Sequence, residues 1–247
     1  MNSSYERFAF VYDELMQDVP YEQYVNWVKK HAPNEKYPRL LDVGCGTGTL
    51  SLLFHQKGYE VSGIDLSEEM LAVAYERLQA NGVAIPLFAM SMDELEGFSD
   101  LDVVTIPVDS INYLGKSEAV VETLKRIYDS LRKGGQLFFD VHSLFKMDHI
   151  FMESPFTYDD GEVTYIWFTE PGEFEHSIYH QMTFFVKEQG SSLFERFEEE
   201  HFQRTFPANQ YVEWLKEIGF TDVEVTADWT DESPTEESER IFIRAIK

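Results

Sequence analysis

The stretch "LLDVGCGTGTLSLL" (Leu40–Leu53) ends an apolar run in an acid, Asp42, and then alternates Gly44, Gly46 and Gly48 with small residues before a new apolar pattern begins. A glycine-rich turn between a strand and a helix lets a ligand lie against bare backbone, with free amides and a helix N-terminus aimed at it. The strand that follows such a helix should end in an acid that receives ribose hydroxyls. "YEVSGID" ends in Asp65, 17 residues beyond Gly48 and 21 beyond Gly44. Strand, glycine turn, helix, strand and acid fall in order, a far more specific signal than three glycines alone.

The spacing also bears on which nucleotide is held. A pyrophosphate seated on a helix end usually takes G-x-G-x-x-G, whereas Gly44, Gly46 and Gly48 read G-x-G-x-G. Asp42, two residues before the first glycine, would repel a diphosphate and favour an ammonium or a sulfonium. The pattern therefore points to a cationic cofactor that carries a ribose. S-adenosylmethionine (SAM), with its adenosine, positive sulfur and amino-acid tail, fits, and a nicotinamide dinucleotide is the alternative.

The elements that would position these residues read as a doubly wound α/β chain. Residues 1–38 form an N-terminal helical cap, with "YEQYVNWVKK" (Tyr21–Lys30) at helical spacing. Residues 39–150 form a core of alternating strands and helices. Strands are expected at "RLLDV", "YEVSGID", "AIPLFAM", "LDVVTIPV" and "QLFFDVH". Helices are expected at Gly48–Lys57, from the Ser67 cap to about Ala80, and at Ser117–Leu131 with "RKGG" as its stop. The continuous apolar strands imply a buried parallel sheet. Residues 151–206 change period: "DDG", "PGE" and "EQGS" are turns at hairpin spacing. They bound three or more antiparallel strands, read as a lid, with Phe174, His176, Ile178, His180, Met182 and Phe184 on one face. Residues 207–247 return to the core with one helix and two closing strands, "DVEVTADW" and "ERIFIRAIK".

At these residues the chain resembles the Rossmann-like (class I) SAM-dependent methyltransferases. "LLDVGCGTG" matches that family's first motif, "GIDLSEEML" its second, and "LRKGGQLFFD" the turn into its fifth strand. "YERFAFVYDELM" looks like the N-terminal segment of a bacterial, uncharacterised small-molecule-type subgroup. The resemblance implies a seven-stranded sheet with an antiparallel last strand, and SAM as cofactor. It implies that Gly44, Gly46 and Gly48, with the small Cys45 between them, line the methionine part. Asp42 would hold the amino group directly or through water, Asp65 the ribose hydroxyls, and Leu66 would pack on adenine. Where the family often has an acid facing the adenine amine, this chain has Ser91 in "AMSMDEL". Ser91, the Met92 backbone and a displaced Asp93 are the candidates, the first two favoured. Asp109 would lie near the sulfur, and Tyr12 would close over the cofactor.

Methyl transfer is an in-line displacement on an activated sulfonium, so alignment and exclusion of water suffice unless the nucleophile holds its proton. No catalytic residue is therefore assigned. Tyr5, Asn112, Tyr113 and His142 are the candidates for the acceptor side, His142 as a base or a polar lining group. "IPVDSINYL" stands where amide- and adenine-methylating families carry an Asn/Asp-Pro-Pro-aromatic motif, which favours a small-molecule acceptor. His176 and His180 have no third ligand at metal spacing, so no metal is expected. "GKS" (Gly115–Ser117) lacks the earlier glycine of a phosphate loop and reads as a helix cap. "FEEEHF" (Phe197–Phe202) reads as the solvent side of a lid strand.

Composition sets outer bounds. The 247 residues carry 45 acids against 20 bases, a formal net charge of −25, which argues against a free nucleic-acid partner. Residues 151–247 hold 22 acids and seven bases, read as a solvated face. No run approaches the roughly 18 apolar residues of a membrane helix, no secretory signal is visible, and the one cysteine excludes an internal disulfide. A cytoplasmic protein is expected. The readings left standing beside a small-molecule methyltransferase are a protein- or ribosome-associated methyltransferase, a non-catalytic SAM-binding regulator and an NAD(P)-dependent oxidoreductase. Oligomeric state is open.

Overall fold

The computed structural model describes Met16, residues 19–188 and residues 190–247. Helix α1 (Tyr21–His31) precedes β1 (Arg39–Val43), α2 (Thr49–Gln56), β2 (Glu60–Asp65), α3 (Glu68–Ala80) and β3 (Leu87–Ala89). Then come β4 (Leu101–Ile106), α4 (Ser117–Ser130) and β5 (Leu131–His142). Four further strands follow: β6 (Phe156–Asp159), β7 (Val163–Pro171), β8 (Ser177–Lys187) and β9 (Phe194–Arg204). Helix α5 (Ala208–Ile218), β10 (Thr221–Ala227) and β11 (Arg240–Ile246) close the chain.

Seven strands form one sheet in the order β10-β11-β5-β4-β1-β2-β3. β11 runs antiparallel to both β10 and β5, and the pairs among β1 to β5 are parallel. Alternate residues of the central strands supply both faces. Leu40, Val103 and Phe138 pack with α1, α2 and α3 through Val28, Phe54 and Leu78. Leu41, Val104 and Phe139 pack with α4 and α5 through Leu124, Tyr211 and Leu215. The order reverses between β1 and β4, and the carboxyl ends of strands at such a switch point open a crevice for ligands. Among the described residues, no helix is long and apolar enough to cross a membrane.

The second sheet is antiparallel, β6-β7-β8-β9, with β9 at its edge beside the crevice. Three local expectations change. Helix α4 ends at Ser130, directly before "LRKGG", as expected, but those residues already belong to β5, which starts at Leu131 and whose register against β4 shifts between Leu101 and Val103. Gly134, at φ +77°, takes up that irregularity. Phe174 and His176 do not share the β8 face with His180, because β8 begins at Ser177 and His176 lies in the preceding turn at φ +57°. There its Nδ1 lies 2.7 Å from an Asp148 carboxylate oxygen. "GKS" stands at the start of α4 with Lys116 as its N-cap, but no side chain caps the helix there.

Candidate active site

The turn after β1 exists in this form because its glycines have positive φ: +69° at Gly44, +54° at Gly46 and +76° at Gly48. A Cβ on Gly44 would meet Ser110 Cβ at 2.8 Å, and one on Gly48 would meet Ala74 Cβ at 3.0 Å. At Gly46 the same position meets nothing within 4 Å, so bare backbone faces open space. The Gly44 and Cys45 amides donate to the Ile64 carbonyl at 2.8 and 2.9 Å, stitching the turn to the end of β2. Cys45 is buried, and burial, with Asp42 and Asp65 adding, pushes its thiol well above the usual value. It acts as a small inert filler.

Two carboxylates flank the turn. Asp65 accepts from the Gly46 amide at 2.8 Å and the Ser67 amide at 2.9 Å. Ser67 in turn caps α3, its hydroxyl accepting from the Met70 amide at 3.1 Å. Burial raises the Asp65 pKa, and the amide hydrogen bonds from Ser67, Gly46 and Leu66 partly offset that. Asp42 is fully buried, accepting from the Ser51 hydroxyl at 2.6 Å and the Thr105 hydroxyl at 3.0 Å. Burial raises its pKa to about 6, against the pull of those two hydroxyls. It borders a pocket of about 30 Å³ shared with Gly44, Gly46, Thr47 and Ser110, a volume suited to one water.

On the open side of the turn lies a cavity of about 570 Å³, within the range of small-ligand sites. Gly44, Gly46, Asp65, Leu66, Ser91 and Met92 border it, so six of the anticipated cofactor positions converge there. Leu66 is 74% exposed, an apolar side chain standing in the opening. Ser91 donates to Asp93, which ties down the turn after β3. Tyr113 closes the cavity from the segment after β4, 49% exposed and edge-on to His201 of β9 with ring centroids 5.8 Å apart.

Asp109, Asn112 and His142 lie elsewhere, in a buried cluster at the root of the second sheet. Asp109 accepts from Arg240 at 2.8 Å and from Gln203 at 2.9 Å, and stands 3.2 Å from His142 Nε2. Burial opposes its charge, yet His142 and Arg240 hold its carboxyl far below the ordinary range. Arg240 also pairs with Asp140, and the Asp109 amide donates to Asp140 at 3.1 Å. Burial lowers the His142 pKa, against the pull of Asp109. Asn112 bridges the His142 amide at 2.9 Å and the Arg204 carbonyl at 2.8 Å. His180 continues the chain, accepting from Trp167 Nε1 at 3.1 Å and donating to Gln203 Oε1 at 3.1 Å. His180 is thus committed to internal bonds, and no group of three or more metal-ligating side chains forms among the described residues. Tyr5 and Tyr12 lie outside the described residues.

Sequence reasoning missed Glu200, His201 and Phe202, which border the cavity from β9. "FEEEHF" is not simply a solvent face: Phe197 and Glu199 are buried on one side of the strand. The usable signal was the alternation Phe197, Glu199, His201, Gln203, obscured by charged neighbours. Gly115 is also explained here, since a Cβ on it would meet the Phe202 ring at 2.5 Å.

Comparison with known proteins agrees with this geometry. A family model described as "Methyltransferase domain" matches residues 40–135. A protein of Geobacillus sp. (strain WCH70) that carries a methyltransferase name is 47% identical over 247 residues, covering 99% of this chain and 100% of its own. The crystal structure of a SAM-dependent methyltransferase from Clostridium acetobutylicum ATCC 824 superposes with a TM-score of 0.88 at 26% identity, covering 99% of each chain. The sugar N-methyltransferase KedS8 from Streptoalloteichus sp ATCC 53650 shares the fold, with a TM-score of 0.71 at 17% identity over 100% of this chain and 94% of its own. The chain belongs to the Rossmann-like, SAM-dependent methyltransferases, and its cofactor is S-adenosylmethionine.

The buried Asp42 makes a stability prediction. Its pKa in the fold, about 6, lies above the unfolded value of 3.8. Its contribution is therefore fully present below about pH 4 and lost as pH rises through about 6. Chemical denaturation from pH 4 to 7 should show Asp42→Asn gaining on the wild type by about 2 kcal/mol. A difference that does not change with pH would contradict the assignment.

Proposed function

We propose that this methyltransferase acts on a small-molecule acceptor, which enters the cavity between the glycine turn and β9 and meets the methyl group there. The observation that carries the proposal is that one chamber of about 570 Å³ is bounded by Gly44, Gly46 and Asp65 at one end and by Tyr113 and His201 at the other. Such a chamber suits a cofactor and a compact acceptor side by side. The net charge of −25 disfavours nucleic acid as the acceptor. KedS8, named for a sugar, is an instance of the same fold with a small acceptor.

The residues present fit the cofactor. Asp65 spends one lone pair of each oxygen on a backbone amide, which leaves acceptor capacity for the two ribose hydroxyls. Leu66 offers an apolar surface to adenine, beside Ser91 and Met92. The bare Gly46 backbone admits the methionine part. Asp42, sealed behind the turn with a water-sized pocket beside it, suits contact with the ammonium group through that water. The cofactor supplies a methyl group on a positively charged sulfur. The chain's part is to orient the two reactants in line and exclude solvent.

Calorimetric titration with SAM should show Asp65→Ala binding more than tenfold more weakly than the wild type, and unchanged affinity would remove the ribose assignment. Transfer of a labelled methyl from SAM into a cell extract tests the acceptor class. Label is expected in the small-molecule fraction, and label confined to protein or RNA would contradict the proposal.

A further inference from the structure

The inner face of the second sheet holds a carboxylate that nothing in the fold satisfies. Alternation along β9 puts Phe197, Glu199, His201 and Gln203 on one side, and the register sets Phe184, Met182, His180 and Ile178 of β8 beside them. Phe197 stacks on Phe184 with ring centroids 5.0 Å apart, and Met70, a wall residue of the cavity, packs against that pair. Two residues beyond Glu199 on the same side, His201 is itself a wall residue. Glu199 lies between Phe197 and His201 on that side of β9, 5% exposed, and its Oε1 has no hydrogen-bond partner. Among the described residues no cation pairs with it.

Burying a carboxylate costs stability unless a cation or a set of donors compensates it, and buried polar atoms left unmatched are rare in folded proteins. The other buried acids each have a cationic or hydroxyl partner, although Asp140 Oδ1, like Glu199 Oε1, is itself without a hydrogen bond. Asp109 has Arg240 and Gln203, Asp140 has Arg240, and Asp42 has two hydroxyls. Burial alone raises the Glu199 pKa, with nothing set against it. Glu199 directly precedes Glu200 and His201, both on the chamber wall, so a cationic ligand there can supply the partner that the fold does not.

We propose that Glu199 is the docking carboxylate for the methyl acceptor, and that the acceptor is an amine methylated on nitrogen. The inference rests on the small-molecule methyl-transfer reading above and names the acceptor's chemical class. The ammonium form of the acceptor enters and pairs with the Glu199 carboxylate. One N–H proton passes to Glu199, which leaves a neutral amine with its lone pair free. That lone pair forms the N–C bond to the methyl carbon as the C–S bond breaks, and the bonding pair stays on sulfur as the thioether. The product leaves as an N-methylammonium cation, and Glu199 returns its proton to solvent. The step uses SAM alone and involves no oxidation or reduction.

The test is to pass the labelled small-molecule fraction of the extract over a cation exchanger at neutral pH and to compare wild type, Glu199→Gln and Glu199→Asp. The label should be retained by the exchanger. Glu199→Gln should incorporate at least tenfold less in dilute extract, with the gap narrowing as the extract is concentrated, and Glu199→Asp should recover part of the rate. Glu199→Gln should bind SAM within twofold of wild type by calorimetry. It should unfold thermally at the same temperature or higher, because it removes an uncompensated acid. Label in the unretained or anionic fractions would overturn the inference, as would wild-type labelling by Glu199→Gln. An earlier melt with weakened SAM binding would overturn it too, by making the carboxylate structural. If the wild type binds SAM but labels no small molecule, the acceptor reading on which the inference rests fails first.

Discussion

Everything in this site depends on a stretch of backbone that has no side chains where a ligand must lie. Between β1 and α2 the chain adopts positive φ at three alternate positions, a conformation that costs glycine little and other residues much. Two of those glycines are also fixed by contact, Gly44 against Ser110 and Gly48 against Ala74, so the turn has little freedom to relax. The third, Gly46, presents its amide to Asp65 and its open Cβ side to space. Turn and acid are therefore one unit. Moving the backbone would break the Asp65 hydrogen bond, and moving Asp65 would release the turn.

The acids divide the labour by burial. Asp65 is held by amides at the rim of the chamber. Asp42, one layer deeper, is held by two hydroxyls, and desolvation raises its pKa to about 6. Asp109 is the opposite case, a carboxylate kept charged by Arg240 and His142 despite its burial. It anchors a continuous chain of hydrogen bonds from Trp167 through His180 and Gln203 to the first sheet. That chain fixes the second sheet over the crevice, so the position of β9 is set by buried polar contacts as well as by the aromatic packing around Phe184.

How far the sequence could be read follows from which interactions are local. The glycine turn, the Ser67 cap and the Asp65 strand end obey rules that span a few residues, and each was legible, whereas the antiparallel last strand was implied by the family resemblance and rests on its long-range pairing with β5. Asp109 illustrates the limit. Its place after β4 suggested the chamber, but Arg240 and Gln203, brought in by tertiary folding, draw it into the interior. His142 follows it for the same reason. In "FEEEHF" the charge of Glu198 and Glu200 hid a strand whose alternate face is buried, and only the pairing of β8 with β9 reveals that Glu199 points inward. The bulge at Gly134 and the turn at His176 likewise depend on neighbours in space.

The most direct test of the central claim is the crystal structure of the protein grown with SAM. This account predicts the ribose hydroxyls on the Asp65 carboxylate, the adenine against Leu66 and the methionine part over Gly46. It also places the amino group on the Asp42 side of the turn with a water between them. SAM bound away from the glycine turn, or a turn occupied by a diphosphate in its place, would contradict it.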